Sequence, residues 1–196
     1  MRTAWGYDVT GDLGPILSKS DFNQMTGGIY TNNPRVEAAL KAATQAIRNY
    51  CGWHISPTMS CTAEPNGGSQ VLRLPATYVS AISGITEEGQ ALSSSEYQWR
   101  KDGLIRKASL HRWSDNWGGI SVSYTAGYPA DAVPDLAEAV CAITAGVLAV
   151  SAGVVSESAD GVSISYSASA SSIAAGLTSQ QKSALMPYKV VDSHAA

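Results

Sequence analysis

Apolar residues recur along this chain with two different periods, and the expected architecture changes where the period changes. Val36, Leu40, Ala43, Ile47 and Tyr50 are spaced by four, three, four and three. That spacing puts all five on one helical face, with Arg35, Glu37, Lys41 and Arg48 off it. Asn33 is a good N-cap, Pro34 suits the first helical position and Gly52 supplies a stop, so a helix is predicted over about 34–51.

From Ile55 to Tyr128 the period falls to two. Strands are predicted around Thr58–Ala63, Gln70–Leu74, Val79–Thr86, Tyr97–Lys101, Leu104–Lys107 and Gly119–Thr125. Pro65-Asn66-Gly67-Gly68, Pro75, Glu88-Gly89 and Asp102-Gly103 punctuate them. Asp102-Gly103 has the chemistry of a two-residue hairpin turn with positive φ. In Ile120-Ser-Val122-Ser-Tyr124 the alternation is strict, so one face packs and the other is wet or meets a polar surface.

The helical period returns after Val133-Pro134-Asp135. Leu136, Val140, Ile143, Val147 and Val150 form a stripe, but Ala, Cys and Gly fill the other sides, so this helix, over about 134–152, is expected to be buried nearly all round. Gly161-Val-Ser-Ile-Ser-Tyr166 echoes the segment beginning at Gly119 and reads as another half-buried strand. Thr178-Ser-Gln-Gln181 is a capping-box pattern opening a short helix over about 178–186, which Pro187 ends.

The fold class is therefore α+β: a small helical bundle (34–51, 134–152, 178–186) with an inserted antiparallel β region over about 58–126. The organisation expected is an N-terminal arm over 1–33 with one helical turn near Ser20-Asp21-Phe22, a core over 34–155, and a Ser/Ala-rich connector, short helix and docking tail over 156–196. The tail ends in Pro187-Tyr-Lys-Val190-Val, an extended segment of the kind that fills a partner's crevice, with Tyr188 as the amphipathic ring.

Composition narrows the function more than it names it. With 196 residues, 44% hydrophobic and 15% charged, the chain folds around a core. Its net charge of −3 disfavours a dedicated nucleic-acid binder, which needs a basic surface. Cys51, Cys61 and Cys141 are odd in number and match no zinc spacing, so they read as buried free thiols in a reducing compartment. No signal peptide is expected at the start, and 139–155 is too rich in Ala, Gly, Ser and Thr for a membrane span.

Catalytic patterns are missing. His54, His111 and His194 form no metal pair, there is no G-x-S-x-G elbow, and Ser179-Gln-Gln-Lys182 with Ser114-Asp-Asn116 is a chance likeness to β-lactam-reactive enzymes, in reverse order. The glycine-rich stretches lack the Lys-Ser/Thr of a phosphate loop. No enzyme activity, metal or cofactor is expected.

One charge feature stands out. Arg100, Lys101, Arg106, Lys107 and Arg112 are five of the 13 basic residues and lie within 13 positions, with Trp99, Trp113 and Trp117 beside them. As a functional surface this would dock an acidic protein or a DNA backbone; as ordinary architecture it is edge-strand protection over core tryptophans.

The order of elements carries a resemblance. Ile47-Arg-Asn-Tyr50-Cys-Gly-Trp-His54-Ile-Ser-Pro57 closes the first helix, Val122-Ser-Tyr124-Thr-Ala-Gly-Tyr128 closes the β region, and Val133-Pro-Asp-Leu136 opens the Ala-rich helix. Over roughly 20–190 this resembles the head–tail connector (adaptor, head-completion) proteins of long-tailed bacteriophages. The resemblance implies a structural virion protein of the neck, made in the host cytoplasm. Copies would form a ring, twelvefold by family analogy, beneath the portal protein. The ring would extend the channel through which genomic DNA passes without specific binding, and would seat the next neck or tail protein. Partner contacts would fall on the C-terminal segment (Leu185, Pro187, Tyr188, Lys189, Val190) and on the basic hairpin (Arg100, Lys101, Arg106, Lys107).

Two alternatives stay open at this stage. One is a tail terminator or stopper subunit, which would be more β-rich, so that a helix share of a third or more favours the adaptor. The other is a small hydrolase or carbohydrate-binding module using the three tryptophans as a platform, which needs those rings exposed together.

Overall fold

The strongest helical signal forms where its pattern puts it. In the computed structural model, which describes residues 1–149, 156–159, 162–165 and 177–190, helix α2 spans Val36–Cys51 and buries Val36, Leu40, Ala43 and Ile47. Asn33 Oδ1 accepts from the Arg35 amide at 2.9 Å at its start. Two side chains depart from the pattern. Tyr50 is half-buried, its hydroxyl 3.3 Å from the Lys182 carbonyl oxygen, and Arg48 is buried. The Arg48 guanidinium donates to the Gly14 carbonyl at 2.9 Å, which gives the buried charge a partner.

The chain divides into two compact units. One is drawn from Gly14–Tyr50 and the described part of 133–187, the other from Met1–Leu13, Cys51–Ala132 and the segment starting at Tyr188. The first unit is helical. It holds α1 (Lys19–Met25), most of α2, α3 (Pro134–Ala149) and α4 (Ser179–Leu185), together with a two-stranded antiparallel pair, β9 (Ser156–Ala159) and β10 (Val162–Ser165). Thus β10 forms where the echoed segment predicts a strand, and the Ser/Ala-rich connector over 167–176 lies outside the described residues.

Helix α1 replaces the single turn expected in the arm. Ser18 caps it by accepting from the Asp21 amide, and Phe22 anchors it, fully buried and stacked on Tyr30 at 5.7 Å. Helix α4 has the capping box its sequence announces: Thr178 accepts from the Gln181 amide and Gln181 accepts in return from the Thr178 amide.

Helix α3 corrects an expectation. It is one-sided within this chain: Leu136, Val140, Cys141, Ile143, Thr144 and Leu148 are buried, Val147 is half-buried, and Glu138, Ala142 and Ala149 are exposed. Alanine counts as apolar in a pattern but removes too little area from water to demand burial. The packed stripe also turns onto Leu148 where the pattern named Val147.

The second unit carries the β structure. A five-stranded antiparallel sheet has the order β1 (Asp8–Val9), β2 (Met59–Ala63), β8 (Ile120–Ala126), β4 (Val79–Glu87), β5 (Gln90–Leu92). A three-stranded antiparallel sheet has the order β3 (Val71–Arg73), β7 (Leu104–Lys107), β6 (Tyr97–Trp99). Strand β8 sits at the centre of the larger sheet, and its alternation is reproduced: Ile120, Val122, Tyr124 and Ala126 are buried, and Ser121, Ser123 and Thr125 half-buried. Two short edge strands, β1 and β5, escape the sequence pattern because neither is long enough to show a period.

The β6–β7 connection also differs in detail. Arg100 and Leu104 pair through the Arg100 amide at 2.9 Å, the Gly103 amide returns to the Arg100 carbonyl at 3.0 Å, and only Gly103 has positive φ (80°). This is a three-residue loop closed by a glycine bulge rather than a two-residue turn, which needs two positive φ values.

Candidate docking surfaces

Two of the segments that carry the family resemblance meet in space. After α2 the chain runs through Trp53 and His54, both fully buried. His54 Nε2 lies 3.1 Å from the Ala126 carbonyl oxygen at the end of β8, and Nδ1 lies 2.8 Å from the Tyr7 hydroxyl. That hydroxyl also accepts from the His54 amide at 3.0 Å. A carbonyl can only accept, so the network assigns the proton to Nε2, and the Tyr7 hydroxyl donates to Nδ1. The Tyr128 amide then donates to the Ile55 carbonyl at 2.7 Å.

Gly127 has no substitute at this crossing. Its φ is +108°, and a Cβ there would strike the Pro57 carbonyl oxygen and approach His54 Nε2 to 2.8 Å. The Tyr-Thr-Ala-Gly-Tyr run is therefore a packing requirement. His54 is fully buried, with both ring nitrogens engaged, so it is a structural residue and not an accessible base.

The C-terminal segment joins the same junction. Trp53 Nε1 donates to the Tyr188 carbonyl at 2.6 Å, the Val190 amide donates to the Cys51 carbonyl at 2.9 Å, and the Tyr128 and Tyr188 rings meet edge to face at 5.5 Å. Of the residues proposed for docking, Leu185 is buried and Tyr188 and Val190 are half-buried, whereas Pro187 and Lys189 are exposed. The segment is thus part of the folded chain as far as Val190, and no local pattern signals these contacts.

The cysteines match the expectation of buried thiols: none is in a disulfide, and all three are buried. Burial pushes Cys51 up to about 12 despite Lys189 nearby, and pushes Cys61 up to about 12 despite a backbone hydrogen bond from Ala126. Cys141 is also raised, by burial and then by Glu138.

The basic hairpin is less basic than its sequence. Lys107 is largely buried, 2.6 Å from Glu87 and 5.0 Å over the Trp113 ring. Arg100 pairs with Asp102 at 2.8 Å. Arg106 is exposed and held by two donations to Gln98 Oε1, at 2.7 and 3.1 Å, and Lys101 is exposed. Opposite residues in the three-stranded sheet share a face, so Val71, Arg73, Gln98, Leu104 and Arg106 lie together on one side and Leu72, Ile105 and Trp99 on the other.

The three tryptophans do not form a platform. Trp99 is half-buried, Trp113 is 2% exposed and Trp117 is fully exposed. The loop between β7 and β8 is nevertheless firmly held. Glu87 accepts from the Ser114 amide at 2.7 Å. Glu88 accepts from the Ser114 hydroxyl and from Asn116 Nδ2, and these two donors hold its carboxyl below the usual glutamate range. Arg112 donates to the Gly68 carbonyl at 3.0 Å, and the Trp113 amide to Ser69 at 2.9 Å. An open cleft of about 870 Å³ beside this loop is lined by Glu96, Lys107 and Arg112 among others. Among the described residues no group of His, Cys, Asp and Glu could hold a metal ion, and no helix is long and apolar enough to cross a membrane.

The chain is thus a mixed α+β protein whose buried histidine is consumed by packing and whose exposed features include a fixed hairpin and a tryptophan loop. The comparison with known families makes this specific: the head completion protein family matches residues 15–189, and the chain belongs to that family. It is a structural protein of the phage head-to-tail neck. Among solved structures it resembles a chain described as "Neck of empty GTA particle computed with C6 symmetry", at 16% identity and a TM-score of 0.56, covering 74% of this chain and 84% of that one. That likeness is one of fold. No curated protein sequence matches the chain.

Proposed function

We propose that this chain is the head-to-tail adaptor: copies form a ring beneath the portal vertex, extend the DNA channel and seat the next neck or tail protein. The observation that carries the reading is the family match, which runs through both compact units and is not confined to one of them. The neck assembly that contains the similar fold was computed with sixfold symmetry, which a ring of twelve copies would satisfy. A net charge of −3 also suits a channel through which DNA must slide, since a basic lining would hold the phosphates. The helices of the first unit would be the bundle of such an adaptor, and the exposed Pro187 and Lys189 would be available to the portal.

A terminator or stopper remains the second reading for one reason. Helix and strand occupy nearly equal shares of the described residues, and helix falls short of a third, so secondary structure alone does not favour the adaptor. Purified protein added to DNA-filled, portal-bearing capsids separates the two. An adaptor binds capsids carrying only the portal, at a small fixed copy number. Binding only to tails, or only after another neck protein has been added, would overturn the adaptor reading.

A further inference from the structure

The fully exposed indole of Trp117 is costly to keep in water and is held by a loop that cannot fold it away. The Glu88 amide donates to the Gly119 carbonyl at 2.7 Å, and the Gly119 amide to the Asn116 carbonyl at 3.0 Å, which closes the turn around Trp117. Glu88 braces the same turn through Ser114 and Asn116. A Cβ at Gly67 would collide with the Ser114 carbonyl, so the neighbouring segment is fitted to the loop as well. A rigid, solvent-exposed aromatic ring needs little further ordering to bind, which is the property of an interface anchor.

The ring is flanked by negative charge. Asp115 is exposed two residues before it, and Glu88 is exposed and held in its charged form by its hydrogen bonds. The same unit carries a surface of the opposite kind. On the outer side of the three-stranded sheet, Val71 is 45% exposed and Leu104 half-buried, between the exposed Arg73 and Arg106. A groove of about 440 Å³ opens there, lined by Val71, Gln98, Leu104 and Arg106. Arg106 is already fixed across it by Gln98.

We infer that Trp117 of one copy docks into this groove on the next copy, with Asp115 and Glu88 facing Arg73 and Arg106 of the neighbour. The inference rests on the ring proposed above. Its occupant is a second copy of this chain because the anchor is aromatic and acidic while the groove, which Trp99 and Ile105 also line, is apolar and basic, and both occur on every copy. Such a contact is heterologous: each subunit offers the anchor on one surface and the groove on another, which builds a ring when the rotation closes. An indole of this kind buries about 150–250 Å² on docking, and the flanking charges set the register.

The test uses the full chain bound to purified portal-bearing capsids. A Trp117→Cys, Val71→Cys double variant, oxidised on the capsid, should give a ladder of covalent multimers, and neither single variant should. Trp117→Ala should raise the concentration needed for ring formation at least tenfold, with an unchanged circular dichroism spectrum. Asp115→Arg should impair assembly, and combining it with Arg106→Asp should restore it. Rings that form normally with Trp117→Ala and give no ladder would overturn this contact while leaving the ring intact. Loss of capsid binding by Trp117→Ala, with no ladder from the double variant, would assign Trp117 to the portal and overturn the copy-to-copy contact. Absence of any ring from the wild-type protein would overturn the ring reading itself.

Discussion

The β-containing unit holds two tryptophans by dense sets of bonds and uses them in opposite ways. Trp53 lies inside a junction where Tyr7, His54, Gly127 and Tyr188 converge, and every polar atom quoted there has a partner inside the chain. Trp117 sits on a turn braced by Glu88, Ser114 and Asn116, and the bracing leaves its ring wholly in water. Rigidity at the first place maintains the fold. At the second it maintains a surface that the isolated chain does not need. The difference separates residues that identify the family from residues available to do its work: the Tyr-Cys-Gly-Trp-His and Tyr-Thr-Ala-Gly-Tyr segments are consumed by the junction.

That contrast can be broken most sharply at Gly127. Gly127→Ala places a Cβ against the Pro57 carbonyl and forces a left-handed φ on alanine. Urea denaturation should show a loss of about 3 kcal/mol or more; a loss under about 1 kcal/mol would mean the crossing is not close-packed. Tyr7→Phe comes next. It removes the hydroxyl that accepts from the His54 amide and donates to Nδ1, leaving both buried without that partner. The expected cost is about 1–3 kcal/mol, read from the same denaturation curves.

The loop should answer to pH instead. Glu88 is held below its usual range, so its contribution is present above the unfolded glutamate value of about 4.3 and is lost as pH falls through the lower folded value. Wild type and Glu88→Gln should differ in urea midpoint at pH 7 by a small, constant amount, and the difference should shrink below about pH 4. A pH-independent difference would show that the charge does not brace the loop. Smallest of all, Arg106→Ala should change stability by no more than about 0.5 kcal/mol in a thermal melt, because its guanidinium is exposed and its bonds go to the exposed Gln98.

The parts legible in the sequence were those written in a local period. Helix α2 and strand β8 follow from spacing alone, as does the capping box of α4. The burial of Arg48 could not be read from a helical wheel, which records polarity and not reach: its guanidinium finds the Gly14 carbonyl, 34 positions away in the chain. Tyr7 and Tyr188 were invisible for the same reason, since their partners His54 and Trp53 lie 47 and 135 positions distant. The basic hairpin looked like a charged patch because counting cations leaves out the adjacent Asp102, and because Glu87, 20 positions from Lys107, meets it only in the fold. Trp117 could be listed with Trp99 and Trp113 by composition, but its exposure depends on how Glu88 closes the turn.

Cryo-electron microscopy of portal-bearing capsids to which the purified chain has been added would show whether this protein forms a ring at the portal vertex. One closed ring is expected at that vertex, coaxial with the portal, with the Trp117 loop of each copy against the three-stranded sheet of the next. Capsids with no added density at the portal vertex, or with the protein spread over the shell, would contradict it.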